Sequence, residues 1–201
     1  MTSPSLLIFA KSPRMGLAKT RLAHDVGRVE AARLNRMCHT RAIACRRGPW
    51  RTRLCVAPDL DLHATHGDLW PASLDRRAQG GGDLGARLMR AVLDAPPGPL
   101  VLIGTDAPDI APALIRRAFK ALLTHDAVAG PADDGGFWLF GLSHAMRRRP
   151  SPFAQVRWST EHALADVVAR LPPKARLCIL PTLIDLDDSH ALAAWKHTNK
   201  P

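Results

Sequence analysis

Residues 130–142 read GPADDGGFWLFGL, and residues 99–108 read PLVLIGTDAP. In the second stretch an apolar run leads straight into Thr105 and Asp106. In the first, a Gly-Pro turn, two adjacent carboxylates and a Gly pair feed an apolar run. Short apolar runs bounded by Gly and Pro read as buried strands. Working outward, 5–10 (SLLIFA), 51–57 (RTRLCVA), 99–104, 126–130, 137–142 and 175–180 (ARLCIL) read as strands. Helices are expected over 28–47, from a cap at Asp83 to Leu93, over 113–123, in WSTEHALADVVARL (158–171) and over 188–196. Ser159 or Thr160 is expected to cap the fourth of these, and 59–82 reads as irregular. Alternating strands and helices predict a three-layer α/β/α sandwich around a mostly parallel sheet. No repeat or linker interrupts it, so residues 1–201 read as a single domain.

The bulk properties exclude several classes. Hydrophobic residues make up 46% of the chain, as in a globular fold, yet no apolar run is long enough for a membrane span. The opening MTSPSLLIFAKSP reads as a first strand rather than a signal peptide. Four cysteines without CxxC spacing point to reduced thiols in a cytoplasmic protein and away from zinc. The nine histidines form no recognisable ligand set. The net charge of +10 raises the question of nucleic acid. Its arginines fall mostly on expected helices, including Arg28, Arg33, Arg36, Arg116 and Arg117, and read as solvated faces. No helix-turn-helix, finger or stacking-aromatic motif accompanies them, so a nucleic-acid partner is not expected.

In open α/β sheets, ligands bind beyond the carboxyl ends of strands. Polar motifs follow three of the expected strands. Asp133 and Asp134 repel each other, a cost that a divalent cation would offset. Asp106 and Asp134 are therefore candidate ligands for Mg²⁺ or Mn²⁺, hard cations that prefer oxygen. The first loop, FAKSPRMGLAKTRL, gathers Lys11, Arg14, Lys19 and Arg21 around Gly16, a cradle suited to a di- or triphosphate. It is not a P-loop, because the required glycines before Lys19 are missing. Lys19 is the candidate for stabilising charge on a leaving phosphate. In QGGGDLGARL (79–88), Gln79 could read a base edge, with Gly82 letting a ligand approach the backbone.

These blocks, with FAQVRWST (153–160), resemble the bacterial transferases associated with radical-SAM and selenodomain proteins. Those are glycosyltransferase-A-like (GT-A-like) members of the nucleotide-diphospho-sugar transferase superfamily, similar also to cofactor-building guanylyltransferases. The resemblance runs from about residue 6 to residue 160, and weakly into LIDLDD, where Asp187 and Asp188 could approach the pocket, although acids near a helix start are usually caps. It implies a Rossmann-like sheet, a nucleotide in the first half and an acceptor in the second. By this resemblance Lys11, Arg14, Lys19 and Arg21 bind phosphate, Gln79 and Gly82 meet the base, and Asp106 binds metal. Asp133, Asp134, Gly135, Gly136 and Trp158 fall on the acceptor side, with Ser159 and Thr160 beside Trp158. Met15 and Phe137-Trp138 depart from the family's usual Pro and Tyr but remove no charge. The expected activity is a metal-dependent transfer from a nucleotide-activated donor to a small-molecule acceptor. The resemblance favours glycosyl transfer from a nucleotide-diphospho-sugar; nucleotidyl transfer from a nucleoside triphosphate to a phosphorylated acceptor, and nucleotide binding without turnover, are the alternatives.

Overall fold

The computed structural model describes residues 3–16 and 18–198. Seven strands form one sheet: β1 (Ser5–Lys11), β2 (Arg51–Ala57), β3 (Asp75–Ala78), β4 (Leu100–Ile103), β5 (Ala127–Pro131), β6 (Phe137–Leu142) and β7 (Leu177–Ile179). Their order is β3-β2-β1-β4-β6-β5-β7. Only β6 runs antiparallel to its neighbours, β4 and β5; the other pairs are parallel.

The three layers follow from side-chain alternation along the strands. Leu6 and Ile8 of β1, Leu54 and Val56 of β2, and Val101 and Ile103 of β4 face one side. There they pack under α2 (Arg28–Ala44) and α4 (Pro112–Ala121), through Ala42, Ile43, Ile115 and Ala118. Leu7, Cys55, Leu100 and Leu102 face the other side, under α3 (Leu84–Asp94) and α5 (Ala163–Ala169). A third cluster joins α1 (Thr20–Val26) and α2 to α6 (Ser189–Thr198) through Leu22, Leu34, Cys38, Leu186 and Leu192. No helix among the described residues is long and apolar enough to cross a membrane.

Three elements differ from expectation. β3 (DRRA) lies within the segment read as irregular; it is a charged edge strand whose order comes from pairing with β2. α1 begins within the cationic loop, seated by burial of Leu22. α5 starts at Ala163, not near Ser159, and no side chain caps it. Ser159 instead has φ of 61°, outside helical geometry. The Asp83 cap is as read: its carboxylate accepts the Ala86 N–H at 2.8 Å.

Arg147, in the basic loop after β6, is a staple and not a solvated charge. It donates to the carbonyls of Val92, Ala95, Pro96 and Gly98 at 2.6–2.8 Å, closing the end of α3 onto the β6 exit. Replacing it with Met leaves four carbonyls without that donor. Arg147→Met should therefore cost about 2–3 kcal/mol in urea unfolding. Exposed Arg149→Met should stay within about 0.5 kcal/mol; equal effects would refute the staple.

Candidate functional site

The carboxyl ends of β1, β4, β5 and β7 share one edge of the sheet, and reversed β6 brings the 132–136 turn to that same edge. Lys19 lies at the centre of what gathers there. Its Nζ is 2.6 Å from Asp106 Oδ1, 2.9 Å from Asp187 Oδ1 and 3.5 Å from Asp185 Oδ1. The Lys19 side chain is only 3% exposed. One carboxylate oxygen from each of the three aspartates lies within 4.8 Å of the others. Lys19 reaches this position from a left-handed backbone, φ 55° and ψ 40°, just before α1. A non-glycine residue adopts that conformation at a cost, which the ion pairs here offset.

Burial works against the Lys19 ammonium, but the charges of Asp106, Asp185 and Asp187 outweigh it and hold its pKa above the ordinary lysine value. Burial also opposes the Asp106 carboxylate; the Lys19 charge and hydrogen bond win, and its pKa falls below the usual range. Asp185 goes the other way. Burial first, then the Asp106 charge, with Asp187 and Asp134 adding, push it up to about 8 against the pull of Lys19.

The acidic cluster is built by backbone lacing. Leu186 N–H donates to Asp106 C=O at 3.2 Å, and Leu183 N–H to Pro131 C=O at 3.0 Å. Asp133 Oδ1 accepts the Asp185 N–H at 2.9 Å, so its carboxylate positions the segment that carries Asp185. Asp134 Oδ1 accepts the Gly136 N–H at 2.8 Å within its own turn. The structure thus groups Asp106 with Asp185 and Asp187, where the sequence suggested Asp134 as its companion. Gly135, at φ 85°, abuts Glu161: an added Cβ would collide with the Glu161 carbonyl oxygen.

A cavity of about 290 Å³ opens beside the cluster, lined by Lys11, Lys19, Arg21, Thr105, Asp106 and Asp187 among others. Arg21 holds Asp187 Oδ2 at 3.1 Å. Other expected residues lie elsewhere. Arg14 turns away to pair with Asp61, and Gly16 shapes the loop with φ of 84°. Gln79 is buried, its amide nitrogen bridging Cys55 C=O at 2.9 Å and Ala10 C=O at 3.4 Å, so that end of the amide ties β1 to β2. Gly82, φ 93°, forms the turn into α3. Trp158 packs on Phe137 with ring centroids 6.3 Å apart and lies close over Gly85. Gln79, Gly82, Asp134, Gly136 and Trp158 are not part of the cavity lining.

Sequence reasoning passed over Asp185 and left Asp187 unsettled between pocket and helix cap. The signal was the i, i+2 spacing of the acids in LIDLD, which in extended chain puts both on one face. Asp188, next in line, is the cap: its Oδ1 accepts the Ala191 N–H at 2.9 Å. Asn35 and His39, both buried, also line the cavity and were not anticipated.

Known proteins share this fold. The profile of a family described as an uncharacterized protein conserved in bacteria (DUF2064) matches residues 41–160. A protein of Desulfovibrio desulfuricans G20, provisionally assigned as a nucleotide-diphospho-sugar transferase, is 30% identical with a TM-score of 0.89, over 100% of this chain and 89% of its own. The 4-diphosphocytidyl-2C-methyl-D-erythritol synthase of Anaerococcus prevotii DSM 20548 shares the fold at 10% identity and TM-score 0.60, over 98% and 97% of the two chains. So does Rv0371c of Mycobacterium tuberculosis H37Rv, solved in complex with manganese, at 15% identity and TM-score 0.57, over 96% and 97%. No curated protein matches the chain.

The raised pKa of Asp185 makes stability depend on pH. The folded chain holds a proton that the unfolded chain releases, so this contribution is full below about pH 4 and is lost as pH rises toward about 8. In chelator-containing buffer, urea unfolding should show the wild type losing up to about 1 kcal/mol per pH unit between about pH 5 and 8. Asp185→Asn should flatten that slope; identical slopes in the two proteins would contradict the assignment.

Proposed function

The chain belongs to the DUF2064 family of bacterial proteins, and from that premise we propose that it is a metal-dependent transferase acting on a nucleotide-activated donor. The observation that carries this reading is the convergence of Lys19 with Asp106, Asp185 and Asp187 beside a cavity rimmed by Lys11 and Arg21. Three carboxylates, with neither sulfur nor imidazole among them, fit a hard cation such as Mg²⁺ or Mn²⁺. When bound there, the cation would polarise the donor's phosphate oxygens and neutralise charge on the leaving phosphate.

The protein's own groups supply the rest. Lys11 and Arg21, at the cavity rim, hold the donor phosphates by charge and hydrogen bond. Lys19 balances the carboxylates and stands within reach of negative charge developing on a leaving phosphate. Asp133 keeps Asp185 in register through the backbone. The 132–136 turn and the segment around Trp158 and Glu161 form the acceptor side in this reading.

Glycosyl transfer is the reading favoured by the D. desulfuricans relative. Its acceptor hydroxyl needs a base, and Asp133 or Asp134 would serve. One observation favours the second reading, nucleotidyl transfer. Asp133 and Asp134 each already accept a backbone N–H, whereas attack by an acceptor phosphate calls for positioning and charge stabilisation more than for a base.

A thermal-shift panel of nucleoside triphosphates and nucleotide-sugars, with and without Mg²⁺ or Mn²⁺, tests the reading. A true donor at a hundredfold its Kd should raise Tm by about 5–10 °C, and only with metal. Asp106→Asn should abolish the metal-dependent part. Release of pyrophosphate or of nucleoside diphosphate on addition of acceptor then separates the two transfers. No metal-dependent shift with any donor would refute the proposal.

A further inference from the structure

Asn35 and His39 sit one turn apart on α2, and they differ from their neighbours on that helix. Ala31, Leu34, Cys38 and Ala42 go into apolar clusters. Asn35, 4% exposed, and His39, 1% exposed, carry polar groups into the cavity wall. Buried polar groups are nearly always paired within the protein or by a ligand or water. Among the described residues none hydrogen-bonds the Asn35 amide.

His39 is paired on one side only. Trp70 Nε1–H donates to His39 Nδ1 at 3.1 Å. An indole N–H can only donate, so Nδ1 holds the lone pair and the ring proton sits on Nε2. The indole is itself fixed: Trp70 is fully buried, and His66 lies edge-on to it with centroids 4.6 Å apart. His66 Nε2 is in turn 3.2 Å from Ser12 Oγ, at the start of the cationic loop. Burial keeps the His39 ring neutral, pushing its pKa down to about 4 although the Asp106 charge works the other way. What remains is an Nε2–H donor of fixed tautomer with no acceptor among the described residues, beside an amide with none of its groups used.

We propose that Asn35 and His39 form a neutral hydrogen-bonding subsite for the diphosphate group of the donor. The proposal rests on the transferase reading above, in that the donor's phosphates must enter this cavity. Two features select that ligand chemistry. Lys11, Lys19, Thr20, Arg21 and Thr105 join Asn35 and His39 in a lining where donors outnumber the carboxylates of Asp106 and Asp187, and an oxygen-rich anion satisfies those donors. At about 290 Å³ the cavity is also at the lower limit for a ligand pocket, so it takes a compact part of the donor and not the whole nucleotide. Neutral N–H groups hold phosphate oxygens without adding a cation to compete for Asp106 and Asp187.

Asn35→Leu separates this role from a structural one. Leu has the same number of side-chain heavy atoms, branched at the same position, and no polar atoms, so a side chain without protein partners is replaced at no loss of internal hydrogen bonds. The variant should keep or raise the Tm of the unliganded protein. In calorimetric titration with inorganic pyrophosphate and Mg²⁺, it should bind about tenfold more weakly than the wild type. In ¹H–¹⁵N spectra at neutral pH, His39 should carry its proton on Nε2, and that resonance should move when pyrophosphate is added. Repeating the titration with the nucleoside triphosphate and the nucleotide-sugar that bind best identifies the source of the diphosphate. Weakening confined to the triphosphate assigns its terminal phosphates, and weakening of both assigns the nucleotide-linked diphosphate. A lowered Tm with unchanged pyrophosphate affinity would overturn the subsite and leave the transferase reading intact. Failure of the wild type to bind pyrophosphate or any nucleotide with metal would overturn both.

Discussion

The ammonium of Lys19 ties together three parts of the chain that are far apart in sequence. It comes from the loop after β1 and meets Asp106 beyond β4 and Asp185 and Asp187 beyond β7. Without that charge, three acids would crowd one sheet edge with Arg21, on Asp187, as the remaining paired cation, an arrangement that burial makes costly. The structure accommodates the remaining strain in two ways. The Lys19 backbone takes a left-handed conformation, and Asp185 retains its proton to a higher pH than an ordinary carboxyl. Both fit a position kept for chemistry, since stability alone would favour apolar residues there.

The sheet was legible because its strands are nearly continuous apolar runs punctuated by Gly and Pro, and because alternation of strands and helices limits the architecture. The elements that escaped are those whose order comes from neighbours. β3 is four residues of which three are charged, and it is a strand only because β2 offers it an edge. α1 is seated by one buried leucine. In the candidate site, Asp106 was singled out by its place after an apolar run and Lys19 by the cationic loop around Gly16, and the structure places the two side by side. Asp185 was not, because β7 is short and only partly buried, and Pro181-Thr182-Leu183-Ile184 separate the acid from the strand end. Asp133 was read as a chemical group, yet its oxygen is used to brace backbone, a distinction that depends on which N–H the fold brings near.

The basic excess also has an architectural share that composition cannot reveal. Arg76 donates to the carbonyls of Leu62, Ala64, Trp70 and Pro71, and so folds the irregular segment between β2 and β3. Arg147 does the same for the end of α3. Irregular segments leave carbonyls without ladder partners, and a planar guanidinium can satisfy several at once. The segment organised by Arg76 includes Trp70, whose indole fixes His39. Loop order and the cavity wall are therefore mechanically linked.

The order in which the cluster's members are synthesised has a consequence for the growing polypeptide. Lys19 and Asp106 emerge from the ribosome well before Asp185 and Asp187, by which point every strand of the sheet has already been made. A nascent chain that has made every strand thus holds one acid of three and still lacks Leu186 and Leu192 of the cluster that joins α6 to α1 and α2. The cluster is therefore completed last, by a short stretch beyond β7 that also seats α6, so loss of that stretch during synthesis would remove two of its acids and part of the helical packing together.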